Sequence, residues 1–396
     1  MNTAVNSRAL FRAASSTGRA AGSRRILPID AARGLVMLFS CLAHFAWWIH
    51  EVYPDIGATL SGIGMVATPT FLMLSGAMVG MLCATASQNG MDLRSQLFNR
   101  GLFLLTVGHF LIALSEAHLT GQFWRTMRGV TVVDSIGICT LTAAFFTTEL
   151  ANRDLCVRIA RIGALVLGLA WLANVLWTPS TPAAQMLQNV LIGGNLNRLE
   201  FSGHTPLLQY LAIYSIGLPL GHFFASYVRR EISLRAVAVR LATIGALLAS
   251  VGVVLRLIRY LFENTAAFQN PAIELSFKVT EKIPPSPAYL LFFAGCGLML
   301  IGTLFRIAES ERSGSRAMLE WVAVIGRASL FVFVLQYFLF WTLPDLVNIH
   351  PGRFAAGLFI GNVLLVRLFA GVWGRVRGNR WMTFGIKLRG EPQPGG

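Results

Sequence analysis

His44 lies in the middle of a long apolar run, Gly34-Leu-Val-Met-Leu-Phe-Ser-Cys-Leu-Ala-His44-Phe-Ala-Trp-Trp-Ile-His50. An ionisable ring in hydrocarbon is costly, so intramembrane His, Asp, Glu and Arg usually face a bundle interior or a wet cavity and carry function. An imidazole of ordinary pKa takes up and releases a proton near neutrality, which suits general acid–base chemistry. The structural alternative is a ring hydrogen-bonded to a neighbouring helix. Asp30 and Arg33 stand three residues apart at the start of the same run, with Arg25 ahead of them. Asp30 suits a helix N-cap; in the functional reading it also orients Arg33 toward an anionic ligand. At the helical rise His44 lies roughly 16 Å from Arg33, so a ligand touching both has to be extended.

A second run repeats the arrangement. Arg100 opens it, His109 comes at a depth similar to His44, roughly 13 Å on by the same rise, and Glu116 stands at its far end. A third run starts from that far side with Asp134, in Gly129-Val-Thr-Val-Val-Asp134-Ser-Ile-Gly137. Asp134 also suits the first turn of a helix through the macrodipole. Two histidines at one depth, with acids above and arginines below, make a polar core fit for proton transfer at mid-membrane and anion binding at the cytoplasmic entrance. His50 and His118 fall at outer ends of runs, His204 in an outer turn, and His222 near a helix C-terminus, where a cation suits the dipole. His350 is given no role. Phosphate-loop, zinc-protease and nucleophile-elbow signatures are missing, and Ser75-Gly76 reads as a close-packing step.

The elements that must position these residues are membrane spans. The chain is 55% hydrophobic and only 13% charged, with a mean hydropathy of +0.60, far from the roughly one-quarter charged content of soluble domains. Apolar windows near the bilayer length recur at about 32–50, 60–86, 97–115, 131–149, 158–178, 205–228, 236–257, 286–308, 321–343 and 354–375. This predicts an all-α polytopic membrane protein of about ten spans. Pro69 and Pro219 predict kinks within spans, and Trp47 and Trp48 an interfacial belt. Assigning loops alternately puts 23 basic residues on one side and 8 on the other, which predicts both termini in the cytoplasm. The net charge of +15 is ascribed to those loops and to anionic lipid, with no nucleic acid. Five cysteines without C-x-x-C spacing read as small buried hydrophobes. Residues 1–24 are expected as a basic tail, 25–378 as the bundle and 379–396 as a cytoplasmic tail. From the residues alone, a proton-coupled secondary transporter is the alternative to an enzyme.

Arg25-x4-Asp30-x2-Arg33-Gly34 with His44, succeeded by Pro69-Thr-Phe-Leu-Met-Leu-Ser75-Gly76, resembles the opening of transmembrane acyltransferases of the acyltransferase-3 superfamily. Arg100 to Gly108, Asp134-Ser-Ile-Gly-Ile-Cys, His204 to Gly221 and Gly326-Arg327 to Gln336 are similar to its heparan-α-glucosaminide N-acetyltransferase-like branch. The resemblance implies a bundle of ten or eleven helices in a bacterial inner membrane. It would take an acyl group, commonly acetyl, from cytoplasmic acyl-CoA and place it on a hydroxyl or amine of an extracytoplasmic carbohydrate or glycolipid. It implies His44 as the catalytic histidine, or His50, since the heparan-type branch places its reactive histidine in the first outer loop. Asp30, Arg33, Arg100 and Arg25 would then meet the donor, and His109 or Asp134 would hold the ring or the acceptor. Partners expected on this view are acyl-CoA, the acceptor, membrane lipids and a second copy of the chain. Gln336 stands where the ninth-span motif often has His.

Overall fold

The computed structural model describes residues 26–86, 90–118, 122–193, 205–266, 268–269, 271–280, 282, 284–310, 312–346 and 354–384. Arg25, His204, His350 and the expected tail 1–24 lie outside them. The chain opens with α1 (Leu27–Val52), α2 (Pro54–Gly64) and α3 (Ala67–Thr85). α4 (Gly90–Phe103) runs through a π-helical turn, Leu104–Gly108, into α5 (His109–Ser115). The short α6 (Gln122–Arg128) precedes α7 (Val132–Phe145), α8 (Arg153–Leu176), α9 (Pro182–Ile192), α10 (Leu207–Val228) and α11 (Leu234–Phe262). Then come α12 (Pro271–Ser276), α13 (Pro287–Glu309), α14 (Ser313–Arg327) and α15 (Ser329–Tyr337). A second π-helical stretch, Phe338–Thr342, leads into α16 (Leu343–Leu346), and α17 (Ala355–Arg375) ends the bundle.

Among the described residues nine helical segments are long and apolar enough to cross a bilayer, and α14 with the stretch from Ser329 to Phe340 passes the same test only as a pair, bent by 72°, for nine to ten candidate spans. The same residues contain no strand. The protein is an all-α, multi-pass membrane protein. Water cannot solvate the stripe Leu165, Leu169, Leu172 and Leu176 on α8, nor Leu247 and Val254 on α11 or Leu364 and Leu368 on α17, all of which are exposed. These three helices face lipid, and α1 lies inside the bundle.

Local chemistry moves several expected features. α1 starts before Asp30, because Pro28 occupies its first turn, where a missing N–H leaves no bond unmade. Asp30 is therefore not the N-cap; that position is Ile26, without a side-chain bond, and Asp30 favours the positive end of the helix by charge. The second expected span is not kinked at Pro69. It breaks between Gly64 and Ala67, and Pro69 sits in the first turn of α3, where proline is tolerated. α10 runs unbroken through Pro219. The ninth expected span is two helices, parted at Ala328. The expected C-terminal tail begins as an ordered 3-10 segment, Gly378–Thr383, with Met382 and Thr383 buried and the Phe384 ring 5.7 Å from that of Phe103.

Small residues set the helix crossings, as expected where dispersion rather than hydrophobicity drives association. Gly76 and Gly80 of α3 meet Gly217 and Gly221 of α10 so closely that a Cβ at any of the four would fall on backbone of the other helix. α1 and α14 cross the same way: a Cβ on Gly326 would fall on the Asp30 carbonyl, and one on Gly34 on the Val322 carbonyl. That crossing fixes the Arg33 end of α1 against the break between α14 and α15.

Candidate active site

Met37, Ser40 and His44 are spaced to share one face of α1, and all three line a cavity of about 330 Å³. Arg33 precedes Met37 by one turn on the same stripe. Phe71 of α3, Ile112 of α5 and Phe333 of α15 give the cavity its apolar lining. Beyond Ser40 and His44, its polar lining comes from Thr68, Thr126, Thr131, Thr205, Tyr210, Tyr337 and two charged groups, Glu116 and Lys282. The His44 ring lies 4.9 Å from that of Tyr337, tilted by 55°, and Lys282 is within electrostatic reach of it. Glu116 accepts a hydrogen bond from the Thr126 hydroxyl. Lys282 comes from the loop before α13, and burial holds its ammonium pKa below the ordinary value. The cavity thus joins a base, a cation, a carboxylate and several hydroxyls with apolar side chains.

His109 and Asp134 come together, but not on the cavity surface. The π-helical turn ahead of His109 inserts one residue and so rotates the downstream helix by about 100°. His109 Nδ1 then lies 2.8 Å from Asp134 Oδ2, and its Nε2 lies 3.3 Å from the Met127 carbonyl oxygen. An acceptor at each ring nitrogen is the pattern an imidazolium satisfies with its two donors. Asp134 also closes a capping box: the Thr131 N–H donates to its Oδ2 at 2.6 Å, and the Thr131 hydroxyl accepts from the Asp134 N–H. The dipole role and the histidine contact expected of Asp134 coexist in one residue. This network stands behind Thr131 and holds the wall it forms.

No protein-family model and no curated protein matches this chain. Its function is therefore argued from the site.

At the other end of α1, Arg33 Nη2 donates to the Ser329 hydroxyl at 2.6 Å, and Nη1 stands 3.8 Å from Asp30 Oδ1. Arg100, on α4, is within electrostatic reach of Arg33. The two arginines, far apart in sequence, converge. Neither lines the cavity, whose deepest contribution from α1 is Met37.

Other expected residues fall elsewhere. His50 is exposed at the α1–α2 turn, its Nδ1 3.0 Å from the Pro54 carbonyl oxygen, and is no part of the cavity lining. His222 is buried within α10; its Nε2–H donates to the Leu150 carbonyl at 2.9 Å, so it ties two segments together and is not a terminal dipole cation. Trp47 is exposed, whereas Trp48 is buried and donates to the Phe340 carbonyl at 2.9 Å. Lys282, Tyr210 and Tyr337 are cavity residues that sequence reasoning missed. One signal for Lys282 was present: lysine is rare here, only Lys278, Lys282 and Lys387 occurring among 33 basic residues. For the tyrosines none existed, since an aromatic in an apolar span reads as core.

Proposed function

We propose that the protein is an integral membrane acyltransferase, moving an acyl group from acyl-CoA on the cytoplasmic side to a hydroxyl or amine of an extracytoplasmic carbohydrate or glycolipid. The observation that carries the reading is that His44 lines a cavity with several polar side chains, on the same helical stripe as Arg33. In the proposed reaction His44 takes the proton of the acceptor while the acceptor oxygen or nitrogen bonds to the thioester carbonyl carbon. The carbon–sulfur bond breaks, and the departing CoA sulfur receives the proton held on His44. A histidine is suited to both halves of that transfer. Arg33 and Arg100 suit the phosphates of the donor as bidentate anion binders, and the thin pantetheine arm would pass Met37 to reach His44. His109 and Asp134 act as scaffold.

The test uses protein reconstituted in vesicles with radiolabelled acetyl-CoA on one side and sugar acceptors on the other. His44→Ala is expected to lose about 10²–10⁴-fold in transfer rate, with His50→Ala unchanged. Transfer at the wild-type rate by His44→Ala would remove histidine from the mechanism. One observation favours a second reading: the break between α14 and α15 resembles the discontinuous helices of secondary transporters. Uptake driven by a pH gradient, with no thermal stabilisation by acetyl-CoA, is the outcome that reading requires.

A further inference from the structure

Lys282 is a charged residue of the cavity that the transfer step does not use. Among the described residues no carboxylate lies within ion-pair distance of it, although Glu116 lines the same cavity. Glu116 is instead engaged by the Thr126 hydroxyl. Lys282 is half-buried; an ammonium partly withdrawn from water with no carboxylate beside it is costly, and an anion beside it would favour its charged form. A second polar group lines the same cavity. Tyr210 is 1% exposed, and its hydroxyl has no hydrogen-bond partner among the described residues. Buried polar groups are nearly always paired, so an orphan on a cavity wall calls for something that fills the cavity. The apolar side chains of Met37, Phe71, Ile112 and Phe333 offer nothing to a charge.

We infer that this cavity binds an anionic acceptor, a sugar or glycolipid bearing a carboxylate or phosphate, with Lys282 as its charge partner and the Tyr210 hydroxyl as a hydrogen-bond donor. The ligand's role as acceptor rests on the acyl-transfer reading; the anion site itself does not. Because Lys282 is within electrostatic reach of His44, an anion held there sets the remainder of the sugar beside the base. Lys282 and Tyr210 are thus specificity-determining residues, recognising a charge remote from the atom that reacts.

The experiment measures binding by calorimetry to the full chain in lipid nanodiscs, without acyl-CoA, using methyl glucoside, methyl glucuronide and glucose 1-phosphate. The wild type is expected to bind at least one of the two anionic sugars about 30-fold more tightly than the neutral glucoside. Preference for the glucuronide marks a carboxylate site, and preference for the phosphate a phosphate site. Lys282→Met should erase the preference, Lys282→Arg should keep most of it, and Tyr210→Phe should weaken anion binding about fivefold. Equal binding of all three sugars by the wild type overturns the inference even if no variant folds, and so does an undiminished preference in Lys282→Met. Anion binding without any transfer in vesicles sinks the enzyme reading and leaves the site standing. Transfer to the neutral glucoside at equal efficiency does the reverse.

Discussion

The two ends of α1 are built on opposite principles. At the Arg33 end the helix touches α14 backbone to backbone through Gly34 and Gly326, and Arg33 has both Ser329 and Asp30 as partners. At the His44 end the neighbouring helices stand apart, and a cavity remains in which Lys282 has no ion-pair partner and Tyr210 no hydrogen bond among the described residues. Polar groups paired within the protein are held in place, whereas a buried polar group left unpaired on a cavity wall calls for a ligand. A single helix therefore carries a close-packed crossing, beside which Ser329 and Asp30 hold the proposed donor-binding Arg33, and an open cavity, and the stripe Arg33, Met37, Ser40, His44 runs from one to the other.

Substitutions separate the two principles. The largest loss of stability should come from Gly326→Val, which drives a branched side chain into the Asp30 carbonyl. A cost of about 3 kcal/mol should appear as a lowered thermal midpoint, or as failure to recover monodisperse protein. If Gly326→Val unfolds like the wild type, the close crossing does not anchor α1. Asp134→Asn comes next: it removes a charge-assisted bond to His109 and weakens the Thr131 cap, for about 2 kcal/mol. Because this pair is scaffold, sugar binding in the folded fraction should persist, and selective loss of binding at unchanged stability would move the pair into the site. Ser329→Ala deprives Arg33 of one acceptor and should cost about 1 kcal/mol, read from the same thermal midpoint. At the bottom of the scale, His50→Ala on an exposed turn should stay within about 0.5 kcal/mol; a marked drop in transfer rate would reopen its claim to catalysis.

Reading along the chain located the membrane helices, because crossing hydrocarbon demands long apolar runs whatever their neighbours are. It also singled out His44, Arg33 and Asp134, because a charge inside such a run needs a reason. It did not reveal that Asp134 serves a cap and His109 at once, since that depends on a π-helical turn whose signature is geometric. Nor could it separate Trp47 from Trp48, adjacent and identical in type, of which one faces outward and the other bonds to Phe340.

Composition and local pattern alone point to an all-α membrane bundle and a short roster of ionisable residues within it. Helix packing sets which of them share a space. It separated His44 from His50 and from the His109–Asp134 pair, and it brought Lys282 and Tyr210 to His44 from distant parts of the chain. The physical reason is that hydrophobic transfer acts residue by residue and leaves its mark in local pattern, whereas a cavity is the space that several packed helices fail to fill.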